Sequence, residues 1–106
     1  MGSGAPPDAP DGGTVPIRYE MSLTREEFLR LLPVAVGHAP WRVDGADIRS
    51  GAAPAWRIRL DERPGRAFGP VRLPVLDVTI DLAGVPAADR AAFIERFLLG
   101  FQRAGG

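Results

Sequence analysis

Arginine and aspartate alternate in two segments of this chain at the spacing that places them on one face of a β-strand. The first segment carries Arg57, Arg59 and Asp61, and the second carries Asp77, Thr79 and Asp81. If the two strands are neighbours in an antiparallel sheet, arginine stands opposite aspartate and cross-strand ion pairs form. The same residues also allow a sharper interpretation, an arginine-lined sheet face that binds a small anion or the acidic patch of a partner. The arginines assigned to this face are Arg18, Arg57, Arg59 and Arg72.

A second candidate is Gly105-Gly106, which directly follows a stretch with helical spacing. Glycine just past a helix is the commonest helix stop. We expect that role here, because Phe101 to Ala104 still follow the helical pattern. The diglycine also resembles the end of ubiquitin-like sulfur carriers, which an activating enzyme adenylates and charges. This resemblance covers two residues and implies a carrier protein that would use Gly105 and Gly106.

The composition excludes several kinds of chemistry. The chain has no cysteine, which excludes disulfides, thiolate nucleophiles, iron–sulfur clusters and cysteine zinc sites. All 13 basic residues are arginine, which excludes Schiff-base lysine catalysis and indicates a bacterium with a GC-rich genome. His38, the single histidine, has no partner motif, and we interpret it as a loop residue. Asp77 and Asp81 would lie roughly 13 Å apart along a strand, too far to act as an acid–base pair. We expect no metal, no cofactor and no catalytic residue.

The charge argues against nucleic acid as a partner. The formal net charge is zero, and residues 15–106 contain 13 arginines against 11 acidic residues. Nucleic-acid modules usually carry a much stronger basic excess. The sequence has no secretory signal pattern and no apolar run of membrane-spanning length. These features predict a cytoplasmic protein without a membrane partner.

At 106 residues, the chain has room for one domain. Residues 1–14 are mostly Gly, Pro, Ser and Asp and have too few apolar side chains to fold, so we expect a disordered tail. Residues 15–106 form the predicted single domain.

The sequence pattern in the first part of that domain predicts a strand followed by a helix. Apolar and polar residues alternate over residues 15–23, as in a strand with one buried face. Thr24 and Glu27 then form a capping box, a strong helix start. Pro33 inside the helical pattern removes a hydrogen bond, so we expect it to kink the helix or end it nearby. Gly37 is a suitable terminator.

The middle of the chain predicts further strands. Residues 41–50 form a candidate strand that Asp44-Gly45 interrupts with a bulge or a tight turn. Residues 56–61 alternate as a third strand, and the Arg-Pro-Gly-Arg sequence at 63–66 predicts the next turn.

Residues 71–82 contain a change of hydrophobic phase. Val71, Leu73 and Val75 occupy odd positions, whereas the apolar residues from Leu76 onward occupy even ones. A one-residue slip would turn every side chain to the other face. We therefore expect a bulge or a break at Pro74, which leaves open whether there are two strands or one strongly bent strand.

Residues 87–104 predict a closing helix with apolar side chains at helical spacing. The fold class is therefore α+β, an antiparallel sheet of four to five strands with two helices on one face. This order resembles the β-α-β4-α half of the TATA-binding-protein fold. The last third of the chain, ending in F-x-R-x-G-G, loosely resembles small uncharacterised bacterial α+β proteins, and that resemblance implies no activity.

The sequence favours a non-catalytic module that binds a protein partner or a second copy of itself. An amphipathic framework is present, and no convergent set of catalytic groups is recognisable. The alternatives are a small-anion module that uses the arginine-lined face and a carrier that uses the diglycine. An enzyme is the last hypothesis.

Overall fold

The computed structural model describes residues 15–37 and 40–105, with side chains described as far as residue 102. The predicted tail over residues 1–14, the loop residue His38 and Gly106 lie outside the described residues.

The described residues form strand, helix, four strands and helix. The elements are β1 (Ile17–Met21), α1 (Arg25–Val36), β2 (Trp41–Asp44), β3 (Asp47–Ser50), β4 (Ala55–Phe68), β5 (Val71–Gly84) and α2 (Ala87–Gly105). The strands form one sheet in the order β1-β5-β4-β3-β2, and every neighbouring pair is antiparallel. The predicted α+β class, with an antiparallel sheet and two helices, is confirmed.

Both helices contribute to one core against a single face of the sheet. Its buried members include Phe28, Leu32, Ala35, Ile48, Ile58, Leu60, Leu76, Val78, Ile80, Leu82, Phe97 and Phe101. The aromatic rings join the two helices, since Phe28 stacks on Phe101 with ring centroids 4.7 Å apart. At Gly100 the helices are so close that an added Cβ would lie 2.5 Å from the Cα atom of Ala35. The sheet therefore has one covered face and one face without helices.

The start of α1 and its terminator Gly37 follow the prediction, whereas the helix does not end near Pro33. The Thr24 side chain accepts the Glu27 N–H at 3.1 Å, and the Glu27 carboxylate accepts the Thr24 N–H at 2.9 Å. The expectation that Pro33 ends the helix is wrong, because α1 continues to Val36. Packing of its buried residues holds the last turn despite the missing hydrogen bond. Gly37 ends the helix with φ of 83° and donates its N–H to the Pro33 carbonyl.

Strands β2 and β3 form a hairpin. Asp44 pairs with Asp47, and Gly45 adopts φ of 62° in the turn between them. Of the two predicted alternatives, the tight turn is confirmed. Glycine suits this position because it populates the left-handed region without steric cost.

Strands β4 and β5 form a long hairpin, and here the predicted turn is misplaced. The turn expected over residues 63–66 is wrong, because β4 continues to Phe68 and the chain reverses at Gly69-Pro70. Arg63 pairs with Val75 and Arg66 with Leu73, so β4 carries one extra residue opposite Pro74. The irregularity is a bulge in β4, and β5 runs past Pro74 as a single strand.

Candidate functional site

The face of the sheet without helices, called the open face below, carries charged side chains from all five strands. Residues directly opposite each other in the register share a face, and this identifies the open-face side chains. The arginines there are Arg18, Arg42, Arg49, Arg57, Arg59, Arg63 and Arg66, and the acidic residues are Glu20, Asp44, Asp47, Asp61, Asp77 and Asp81. The two signs are nearly balanced, so each arginine has to be judged by its own partners.

Three of the four predicted binding arginines lie together on this face, and each forms an ion pair. Arg18 contacts Asp77 at 3.0 Å. Arg59 contacts Asp61 at 3.2 Å. Arg57 lies opposite Asp81, as the alternation predicted, at a longer 3.7 Å.

The fourth predicted arginine is on the other side of the sheet. Arg72 pairs with Ala67 in the register, and its Nη1 lies 3.4 Å from the Gly65 carbonyl oxygen to which it donates. Odd-numbered positions of β5 lie on the open face with Arg18, Arg57 and Arg59, whereas Arg72 is at an even-numbered position and lies on the other face. The structure therefore does not bring the four arginines into one group, and binding by the other three stays a prediction.

Asp77 is the most buried charged side chain among the described residues, with 9% of the side chain exposed. Its Oδ2 accepts hydrogen bonds from Arg63 Nε at 2.7 Å and Arg18 Nη2 at 3.0 Å. The hydrogen bond from Arg63, supported by that from Arg18, lowers the pKa of the Asp77 carboxyl, although burial opposes the shift. Asp77 is thus held ionised and suits a structural tie between β1, β5 and β4, not a general acid.

A second ionic tie spans the same three strands. Arg66 Nη2 donates to both carboxylate oxygens of Glu20, at 2.9 Å and 2.7 Å. Arg66 lies in β4 and Glu20 in β1, so the arginine side chain crosses β5 on the open face. Together with Arg63 and Asp77, this pair fixes the base of the long hairpin to the rest of the sheet.

Beyond these ties the hairpin projects past its neighbouring strands. We call residues 63–75 the hairpin arm. Strand β1 pairs with β5 only from Leu76 to Ile80, and β3 pairs with β4 only as far as Arg59. Within the described residues, both outer edges of the arm therefore lack a neighbouring strand.

The arm carries exposed apolar side chains on the open face. Phe68 is 57% exposed, Val71 52% and Leu73 39%. Phe68 lies opposite Val71 in the register, and Leu73 lies two positions along the same face. Val75 continues this row and is buried at the base of the arm. We call Phe68, Val71 and Leu73 the apolar patch.

The apolar patch explains the change of hydrophobic phase in the sequence. No slip occurs in β5 from Val71 to Asp81, where successive positions alternate regularly between the two faces. The apolar residues change face instead, because the helices cover only the part of β5 from Leu76 onward. The phase change thus indicates a second apolar surface, whereas the sequence alone suggested a bulge or a break in the strand.

Sequence reasoning also missed Arg90. Its Nε donates to the carbonyl oxygens of Val85 at 2.8 Å and Leu82 at 3.1 Å. This arginine in the first turn of α2 fastens the end of β5 and positions the closing helix. No local pattern distinguishes it from an ordinary solvated arginine.

We also considered metal-binding clusters and membrane-spanning helices among the described residues. Residues 15–37 and 40–105 hold no cluster of three or more His, Asp or Glu side chains that could bind a metal ion. Neither helix of the described chain is both long enough and apolar enough to cross a membrane.

Comparison with protein-family models, curated proteins and solved structures found no match for this chain. The resemblances to the TATA-binding-protein topology and to small bacterial proteins ending in F-x-R-x-G-G therefore stay predictions. The function has to be argued from the surfaces of the molecule itself.

Proposed function

We propose that this protein is a non-catalytic interaction module that associates with a second copy of itself through the hairpin arm. The observation that carries the proposal is the apolar patch on a pair of strands whose outer edges have no neighbour. A partner other than a second copy is the competing outcome of the test below.

The free edges support strand addition. An isolated two-stranded ribbon is marginally stable in water, and unpaired N–H and C=O groups on an edge readily pair with another chain. Of the two edges, that of β4 carries the bulge and Pro64, which are features that discourage pairing. Within the arm, β5 carries no extra residue, although its edge lacks one N–H donor at Pro74. The β5 edge is therefore the better template.

The sequence of that edge is compatible with its own copy. If two arms pair antiparallel about Leu73, each Leu73 stands opposite the other, Val71 opposite Val75 of the second copy, and Arg72 opposite Pro74. No like charges face each other, and the isologous contact closes at two subunits. The apolar patches of both arms then lie side by side across the axis, and the apolar area that they bury against each other favours association.

Sedimentation by analytical ultracentrifugation tests this proposal. Leu73→Arg places two arginines opposite each other at the axis and is expected to convert a concentration-dependent dimer into a monomer. Leu99→Arg is the matched control, since Leu99 is 44% exposed against 39% for Leu73 and lies on α2, away from the arm. This control should sediment like the wild type. Thermal unfolding of both variants verifies that they are folded.

Two results would overturn the proposal. A wild type that is monomeric over the micromolar range rejects self-association and leaves a different protein as the partner of the arm. A Leu73→Arg variant that remains dimeric places the interface elsewhere.

The two other functions expected from the sequence receive less support. Arg18 and Arg59 contact carboxylates at 3.0 and 3.2 Å, and Arg72 lies on the other face, so this set of four does not favour an anion site. The carrier function stays a prediction. Helix α2 continues to Gly105, and this geometry does not favour a reactive glycine that extends away from the body.

A further inference from the structure

Three arginines stand in a row across strands β2, β3 and β4 of the open face. Arg42 lies directly opposite Arg49, and Arg49 lies directly opposite Arg57. Directly opposite side chains in an antiparallel pair have Cβ atoms about 5 Å apart, and like charges there are destabilising. The row thus concentrates three guanidinium groups over roughly 10 Å, two strand spacings. We call Arg42, Arg49 and Arg57 the arginine row.

The arginine row is poorly neutralised by the protein. Within the described residues Arg42 and Arg49 form no ion pair and no side-chain hydrogen bond, and Arg57 has only its 3.7 Å contact with Asp81. Asp44 and Asp47 lie on the next row of the face and do not approach these arginines within ion-pair distance. By contrast, Arg18, Arg63 and Arg66 contact carboxylates at 3.0 Å or less.

A shallow cavity of about 250 Å³ adjoins the row, lined among others by Arg49, Arg57, Asp81 and Ser50. Asp81 stands at one end of the row, opposite Arg57, and would repel an anion that extended past it. The site is thus positive along its length and bounded by a negative charge at one end.

We infer that the arginine row binds a small anion with two or three linked phosphates. Guanidinium groups bind phosphate oxygens in charge-assisted, often bidentate hydrogen bonds. A single phosphate would reach only part of a row of this length, whereas a diphosphate or triphosphate engages successive arginines. This inference is independent of the hairpin arm, since β2 and β3 contribute two of the three arginines.

Isothermal titration calorimetry at low ionic strength tests the inference with phosphate, pyrophosphate and tripolyphosphate as probes. Pyrophosphate and tripolyphosphate are expected to bind more tightly than phosphate, with affinities that fall as salt is added. Arg49→Gln removes the central guanidinium and should weaken pyrophosphate binding by about tenfold or more. Arg30→Gln is the matched control, because Arg30 is exposed on α1, and it should bind like the wild type.

The stability of the same variants gives a second measurement. Without anion, Arg49→Gln is expected to unfold at a slightly higher temperature than the wild type, because a repulsive neighbour is gone. Pyrophosphate should raise the melting temperature of the wild type and of Arg30→Gln, and leave that of Arg49→Gln nearly unchanged. The arm variant Leu73→Arg should bind pyrophosphate normally, which separates this site from the proposed self-association.

Either of two findings overturns the inference. One is a wild type that binds none of the three probes at millimolar concentration. The other is equal pyrophosphate affinity in Arg49→Gln and Arg30→Gln, which would mean general attraction to a surface with many arginines.

Discussion

The same two strands build two very different regions. In the body of the sheet, Ile58 of β4 and Ile80 of β5 are paired and fully buried beneath the helices. In the hairpin arm, Phe68 and Val71 are also paired, yet both are more than half exposed. The difference lies in the face, since Ile58 and Ile80 lie on the face that the helices cover, whereas Phe68 and Val71 lie on the open face. Strand pairing alone therefore leaves apolar side chains exposed and able to contact a partner. Apolar side chains that the helices cover are buried and stabilise the fold.

The two regions are also held differently. The stacked rings of Phe28 and Phe101 and the close packing at Gly100 join the two helices of the body. The base of the arm is instead fixed by ion pairs from Arg63 to Asp77 and from Arg66 to Glu20. The following predictions test whether apolar packing stabilises the body while ion pairs hold the base of the arm.

The largest difference should come from removing an aromatic ring in each region. Phe28→Ala leaves a cavity under the sheet and should lower the free energy of unfolding by about 3–5 kcal/mol. Phe68→Ala removes an exposed ring and should change it by no more than about 0.5 kcal/mol. Urea unfolding measures both, in a Leu73→Arg background so that association does not contribute. Comparable losses for the two variants would contradict the division.

A smaller effect is expected from Gly100, where the two helices touch. Glycine-to-alanine exchange within a helix ordinarily stabilises by about 0.5–1 kcal/mol. At Gly100 the new Cβ would collide with Ala35, so Gly100→Ala should instead cost about 1–3 kcal/mol. Ala91→Gly at an exposed position of α2 is the control and should lose about 1 kcal/mol through propensity alone. If alanine proves stabilising at position 100, the helices are not in close contact there.

The smallest effect concerns the joint between body and arm and depends on pH. The pKa of Asp77 is lowered from its ordinary value of 3.8 by Arg63 and Arg18. Its contribution to stability is therefore present above that value and is lost as the pH falls below it. Acid titrations of the unfolding temperature should show a shallower decline for Asp77→Asn than for the wild type. Asp44→Asn, at an exposed position without an ion pair, should follow the wild-type curve.

Local patterns in the sequence predicted most of the helices and strands. The features that they failed to predict depend on contacts between residues distant in the sequence. Thr24 and Glu27 satisfy each other within one turn of helix, so the capping box is readable from four residues. Pro33 was misjudged because the packing that holds the last turn of α1 comes from residues far along the chain. The Pro-Gly of residues 64–65 indicated a turn, but pairing with β5 extended the strand through a bulge.

The candidate surfaces were only partly predictable for the same reason. The alternation of residues 57–61 and 77–81 predicted arginine opposite aspartate, which is confirmed for Arg57 and Asp81 but not for Asp61, which stands opposite Asp77. The row from Arg42 to Arg57 was not foreseen, because it depends on the registers of three strands at once. The apolar patch was visible as a phase change, but its interpretation needed the extent of the helices over the sheet.

The pairing of β1 with β5 has a consequence for how the protein is made. Ile17 aligns with Ile80, so the first strand reaches its place only after most of the chain exists. Contacts this distant in sequence slow folding, and synthesis proceeds at about 5–20 residues per second. During those seconds the β2–β3 hairpin and α1 can begin to form on the ribosome, while β1 waits for its neighbour. A nascent chain that stalls before β5 would leave β1 unpaired and β4 paired only with β3, and we expect such fragments to be targets for chaperones and proteases.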